Sequence, residues 1–166
     1  FTLQGEFTIP FNPDGSIAEN YEINSKILDA NLNISKDFKI NNLSTDIKYV
    51  YKSEQGKEIN FFINQGKILN LDLQKSSIDI NLKDDKKIIK SKIKTKGTSK
   101  YSELKIISSL LGLNLANLKS VELTSDLETS VKLWLDSKFK INDRAFAVNG
   151  KINDLNLEHK EVKRIK

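Results

Sequence analysis

Val121-Glu-Leu-Thr-Ser-Asp-Leu-Glu-Thr-Ser-Val-Lys-Leu-Trp-Leu135 is the stretch whose reading decides how this chain folds. Its odd positions carry Val121, Leu123, Leu127, Val131, Leu133 and Leu135, with the small Ser125 and Thr129 between them. The even positions are polar apart from Trp134. Alternation of this kind sends successive side chains to opposite sides of an extended backbone, so the segment is a strand with one apolar and one wet face. Strands buried on both faces read as unbroken apolar runs, so the pattern predicts antiparallel, half-wetted strands. Left unbroken, the segment extends about 50 Å at roughly 3.3 Å per residue. Most strands run only about 3–10 residues, so a long curved sheet is expected rather than a compact sandwich.

The same period spreads outward from that stretch. Phe1, Leu3, Phe7 and Ile9 sit at odd positions; Leu43, Thr45, Ile47, Tyr49 and Tyr51 repeat the pattern, and Ile59, Phe61 and Ile63 follow a turn-like Ser53–Lys57. Leu69, Leu71 and Leu73 form another run, then Ile78, Ile80 and Leu82. Pro occurs only at Pro10 and Pro13, within a turn-forming segment that predicts a loop over 10–16. Asp84-Asp85, followed by two lysines, reads as a hairpin turn rather than an acid–base pair. One segment departs from period two. Leu104, Ile107 and Leu111 follow the i, i+3, i+7 spacing of an amphipathic helix, predicted over 102–113 with Ser102 as N-cap and Gly112 as stop. That helix is expected to cover or plug one end of the sheet.

Two decapeptides echo each other. Ile23-Asn-Ser-Lys-Ile-Leu-Asp-Ala-Asn-Leu32 aligns with Val148-Asn-Gly-Lys-Ile-Asn-Asp-Leu-Asn-Leu157, and a weaker third copy is Ile63–Leu71. In the first two the apolar positions change parity at the same place: Ile23 and Ile27 are odd but Ala30 and Leu32 even, while Val148 and Ile152 are even but Leu155 and Leu157 odd. A one-residue phase slip inside a strand predicts a β-bulge or sharp bend, to which Gly66 and Gly150 are suited. A repeated strand unit suggests a sheet extended module by module.

Composition removes most chemistries. The 166 residues contain no Cys, no Met and one His, His159, which excludes a Cys/His zinc site, a disulfide framework and a thiol nucleophile. His159 lies in a polar tail and has no triad around it. Phosphate-binding glycine loops, metal-spaced carboxylates and nucleophile elbows are absent from the sequence; neither an enzyme nor a cofactor is expected. The net charge is +5 and nearly all the cations are Lys, whereas nucleic-acid readers favour the forked Arg side chain. Lys90, Lys92, Lys94 and Lys96 nevertheless form a basic stripe on one strand face, read as a solvated outer face or as lysines guarding a sheet edge. Trp134 falls on the polar side of its strand, as a partner contact or covered by a loop or the helix.

The one-faced strands, the Gly-Lys-Ile-x-Asp-x-x-Leu phrase and the Leu-rich helix ahead of a long strand resemble the AsmA-like family of periplasmic proteins. The YhdP-like members and their relative TamB are the nearest in pattern. The resemblance is carried by 21–34, 101–135 and 145–157. It implies residues 1–166 as one β-rich internal or C-terminal segment of a larger protein, consistent with a start at Phe1, with a polar tail at 160–166. It also implies an inner-membrane anchor outside this stretch, a periplasmic location, and an apolar groove that carries phospholipid between inner and outer membrane. The groove-lining candidates are then Leu43, Ile47, Tyr49, Ile59, Phe61, Ile63, Val121, Leu123, Leu127, Val131, Leu133 and Leu135. Phospholipid acyl chains, flanking β segments and envelope proteins are the expected partners, and nucleic acid is not. The rivals are a closed β-sandwich binding or structural module of the bacterial envelope, and a basic surface-binding domain using 86–100.

Overall fold

The computed structural model describes residues 2–159, apart from Ser35, Asp37, Gln55 and residues 84–85, 112–114 and 116. Eight strands follow along the chain: β1 (Thr2–Thr8), β2 (Asn20–Asn33), β3 (Lys39–Lys52), β4 (Gly56–Ile68), β5 (Leu71–Lys83), β6 (Lys86–Lys100), β7 (Leu118–Leu135) and β8 (Ile141–His159). A single helix, α1 (Tyr101–Leu111), lies between β6 and β7. Each strand pairs antiparallel with its chain neighbour, and the sheet order is the sequence order. β1 and β8 are therefore the two edges among the described strands. The expected all-β architecture, one long curved sheet with one short helix, is what forms.

The deciding stretch lies inside β7, which runs 18 residues without interruption, beside a 19-residue β8. The 10–16 segment turns tightly between β1 and β2, where Asn12 donates to the Ser16 carbonyl at 2.8 Å and the Asp14 carboxylate accepts from the Ser16 backbone. Leu69 is not part of a strand as its run with Leu71 suggests. It occupies the turn between β4 and β5 at φ +55°. Asp84 and Asp85 lie outside the described residues, but Lys83 and Lys86 on either side pair with each other, as a hairpin requires. The helix starts one residue earlier than predicted, at Tyr101, and ends at Leu111; residues 112–113 and the proposed Gly112 stop lie outside the described residues. Ser102 is not its cap. The Glu103 carboxylate reaches back to the Lys100 backbone N–H at 2.8 Å and also accepts from the Asn70 side chain, so the acidic half of a capping box starts the helix.

Four adjacent strands change parity along one transverse line. The apolar positions step by three from Ile27 to Ala30 in β2, Ile40 to Leu43 in β3, Ile63 to Gly66 in β4 and Leu73 to Ser76 in β5, and three of the pairings show register shifts there. Asp29, Asn42 and Lys75 sit in these steps at φ +53°, +52° and +26°. Each step is a bulge that returns the apolar residues to the face they had before it. Backbone groups unpaired by the slips are met by buried hydroxyls. Ser44 Oγ accepts from the Asp29 N–H at 3.3 Å, and Ser76 Oγ accepts from the Lys94 N–H at 2.9 Å. The echo between decapeptides holds here too, since β8 slips at Asn153, between Ile152 and Asp154. Gly150 is not that slip, contrary to expectation. It pairs with Leu127 at φ +148°, where a Cβ would collide with the Asp126 carbonyl oxygen.

Bulges bend and twist the strands that contain them, and the core gathers at the bend. Ile40, Leu43, Ile63 and Leu73 are buried there, with Ala30, Ile68, Ile78 and Ile93 packed against them. All eight belong to the sheet itself. Burial without a covering layer requires that the sheet curl in upon its apolar face at the seam. Gly66 lies within this cluster, where a Cβ would come 3.1 Å from Leu73 and 3.4 Å from Ile40.

Candidate functional site

Residues directly opposite in an antiparallel pair share a face, so the register assigns every side. Tyr49 of β3 faces Ile59 of β4, which faces Ile80 of β5, which faces Ile89 of β6, which faces Leu133 of β7. The same tracing puts all twelve groove candidates on one continuous surface: Leu43, Ile47 and Tyr49; Ile59, Phe61 and Ile63; Val121, Leu123, Leu127, Val131, Leu133 and Leu135. Sequence reading passed over other members of that surface. Tyr21, Ile23 and Ile27 of β2, Ile89 and Ile93 of β6, and Phe146, Val148, Ile152 and Leu155 of β8 all join it. The even-numbered Phe146, Val148 and Ile152 carry the signal for β8.

Among the described residues no second layer lies over this surface. Among the described residues the only element outside the sheet is α1, which touches β6 and β7 alone. It therefore adjoins one end of the sheet rather than lying across it, and the described residues form an open sheet rather than a closed sandwich. Along its middle the apolar surface is interrupted by small groups such as Ser25, Ser91, Thr95, Ser125 and Thr129. The register places no carboxylate on it. Its cations, Lys57, Lys87 and Arg144, lie toward a single end, opposite Leu82, Leu135 and Leu133. Lys87 also donates to the Ser137 carbonyl at 3.1 Å and sits 4.8 Å from the centre of the Phe139 ring. Tyr21, Tyr49 and Tyr51 cluster at the same end, with ring centres 5.8 and 5.2 Å apart. A hydrogen bond shared with Tyr21, helped by burial, pushes the Tyr49 hydroxyl up to about 12, so it remains a neutral donor at any physiological pH.

Comparison with known protein families, curated proteins and solved structures returned no match. None of the chain's described helices is long and apolar enough to cross a membrane.

The opposite face is polar, and several of its charges pair across neighbouring strands. Lys92 and Lys94 both reach Glu128, at 2.9 and 3.5 Å, and Lys96 approaches Asp126 at 4.0 Å. Lys26 pairs with Asp46 and Lys48 with Glu22. The basic stripe thus lies on the outer face as expected, but β6 is an interior strand, so these lysines guard no edge. Lys92 holds the Glu128 carboxyl below its usual range, Lys48 does the same for Glu22, and Asn64 followed by Lys26 does so for Asp46. Trp134 lies on this polar face, half-buried, with the Lys132 ammonium 4.3 Å from its ring centre. The helix does not cover it, because α1 adjoins the opposite end of β7, near Ser120 and Val121. His159 ends β8 opposite Leu118, and the 160–166 tail lies outside the described residues.

Proposed function

We propose that the open apolar face holds the acyl chains of phospholipids and that this chain is a segment of an AsmA-like envelope protein. On this reading it lies in the periplasm and carries lipid between inner and outer membrane without making or breaking a bond. The observation that carries the reading is the uncovered, acid-free apolar surface crossing all eight strands, with Lys57, Lys87 and Arg144 toward one end. A monomeric protein leaves few large apolar patches bare unless they meet a partner. An acyl chain is an economical cover, since each methylene taken from water contributes about 0.8 kcal/mol. The cations match a phosphate headgroup and repel nothing anionic, whereas a carboxylate on the same face would.

Detergent-free purification followed by native mass spectrometry and lipid extraction tests this. Phospholipid is expected to accompany the protein in fixed stoichiometry and to be lost when Leu123 and Leu127 are both changed to Asp. Circular dichroism must show the strand signal of that variant intact. A wild-type protein that is folded and free of lipid, and that takes none from phospholipid vesicles, rejects the reading.

A further inference from the structure

Among the described strands β8 is an edge. No described strand lies beyond it, it contains no Pro, and Phe146, Val148 and Ile152 are 63%, 55% and 57% exposed. Val131 and Leu133, on the same face of the neighbouring interior strand, are half-buried. Long, apolar, unpaired edges pair with further strands unless something blunts them. The charges of β8 indicate which strand. Elsewhere on the polar face, lysines and carboxylates join across adjacent strands, as Lys26–Asp46, Lys48–Glu22 and Lys92–Glu128 do. Asp143 and Lys151 share that face of β8, opposite Trp134 and Asp126. Neither has an ion pair among the described residues. Asp143 accepts only the Arg144 backbone N–H, and the carboxylate of Asp126 is directed to Lys96.

We propose that β8 pairs antiparallel with β8 of a second copy of this chain, about a twofold axis through Ala147. In that register Ala147 of one copy faces Ala147 of the other. Phe146 faces Val148, an aromatic–β-branched pair of the kind that stabilises sheets. Arg144 faces Gly150, which presents no side chain. Asp143 faces Lys151, and twofold symmetry makes this pair twice. Asp143 and Lys151 thus form the same kind of cross-strand pair that Lys26–Asp46, Lys48–Glu22 and Lys92–Glu128 make elsewhere on the polar face. An axis perpendicular to the sheet keeps both apolar faces on one side, so two eight-stranded sheets merge into one with a continuous apolar surface. The pairing does not depend on what that surface carries.

Because the chain has no Cys, Ala147→Cys introduces a single thiol whose partner would lie directly across the axis. Opposed Cα atoms in such a pair are about 4.5–5.5 Å apart, within disulfide range. Ala145→Cys, on the same face, would face Asn149, leaving the two thiols about 13 Å apart along the strands. Mild oxidation is expected to cross-link the Ala147→Cys protein into a dimer and to leave the Ala145→Cys protein uncross-linked. In sedimentation experiments across a concentration series, wild type dimerises, Asp143→Lys weakens the dimer about tenfold, and adding Lys151→Asp to that variant restores it. Circular dichroism confirms that each variant is folded. A wild-type monomer at every concentration overturns the proposal. So does a dimer that ignores the charge exchange or cross-links equally at both cysteines, which is the result expected if two copies stack apolar face on apolar face.

Discussion

Ser76 shows how much one hydroxyl does in this sheet. Only 3% exposed, it lies on the apolar face opposite Ile63, accepts the Lys94 N–H at 2.9 Å and donates to the Gln74 carbonyl at 2.8 Å. The bulge at Lys75 would otherwise leave that buried N–H without a partner, and an unpaired buried donor costs about 1–3 kcal/mol. Ser76→Ala adds no bulk and removes only the hydroxyl. It is expected to lower the unfolding free energy by about 1–3 kcal/mol in urea titration, against less than about 0.5 kcal/mol for the exposed Ser53→Ala. A neutral or stabilising Ser76→Ala would show that the hydroxyl is dispensable. Nothing in the sequence marks this serine, because in a period-two pattern a Ser reads equally well on either face.

At the scale of the strand, the bulge seam has a consequence that β propensity alone would reverse. Asp29 is a poor strand former and Val a good one. Yet Asp29 sits at φ +53°, where a β-branched side chain is badly accommodated. Asp29→Val is therefore expected to destabilise the chain by about 1–3 kcal/mol, while Gln4→Val, at an exposed and regular position of β1, changes stability by less than about 0.5 kcal/mol. The comparison reads directly from chemical denaturation midpoints. The slips in β2 and β8 were legible because their apolar residues continue visibly on both sides. In β5 the two halves, Leu71–Leu73 and Ile78–Leu82, read as separate runs, and only the pairing with β4 shows them to be one strand. In β3 the step from Ile40 to Leu43 was missed because Ile40 stood alone.

For the whole molecule, the cross-strand ion pairs of the polar face set the response to pH. Glu22, Asp46 and Glu128 all have carboxyls held below their ordinary values by hydrogen-bonding and charged neighbours. A group whose folded pKa is depressed contributes stability above its unfolded pKa, and that contribution is lost as the pH falls through the folded value. Unfolded carboxyls titrate near about 4, so the thermal midpoint is expected to hold from neutral pH to about 5 and then decline. At the alkaline end the sign follows from Tyr49. Its hydroxyl ionises near 12 in the fold but near about 10 in the unfolded chain, so stability declines as the pH rises above about 10. A midpoint that rises on acidification to pH 3 would show that the lysine-rich sheet gains nothing from these pairs. Exposed pairs are individually weak, so the decline is expected to be gradual.

The sequence by itself determined the class of this protein and, within each regular run, which residues share a side. Side chains alternate with a period of two, so each residue's side within a strand follows from the residues around it. The twelve groove candidates fell on one face for that reason. The tertiary structure alone decided which strands are neighbours, that the sheet stays open, and that four slips align into one bend. Those are relations between segments far apart in the chain, and alternation carries no information about them. It likewise decided that the lysines of β6 meet Glu128 and Asp126, because charge pairing across strands depends on register, which the pattern within one strand leaves free.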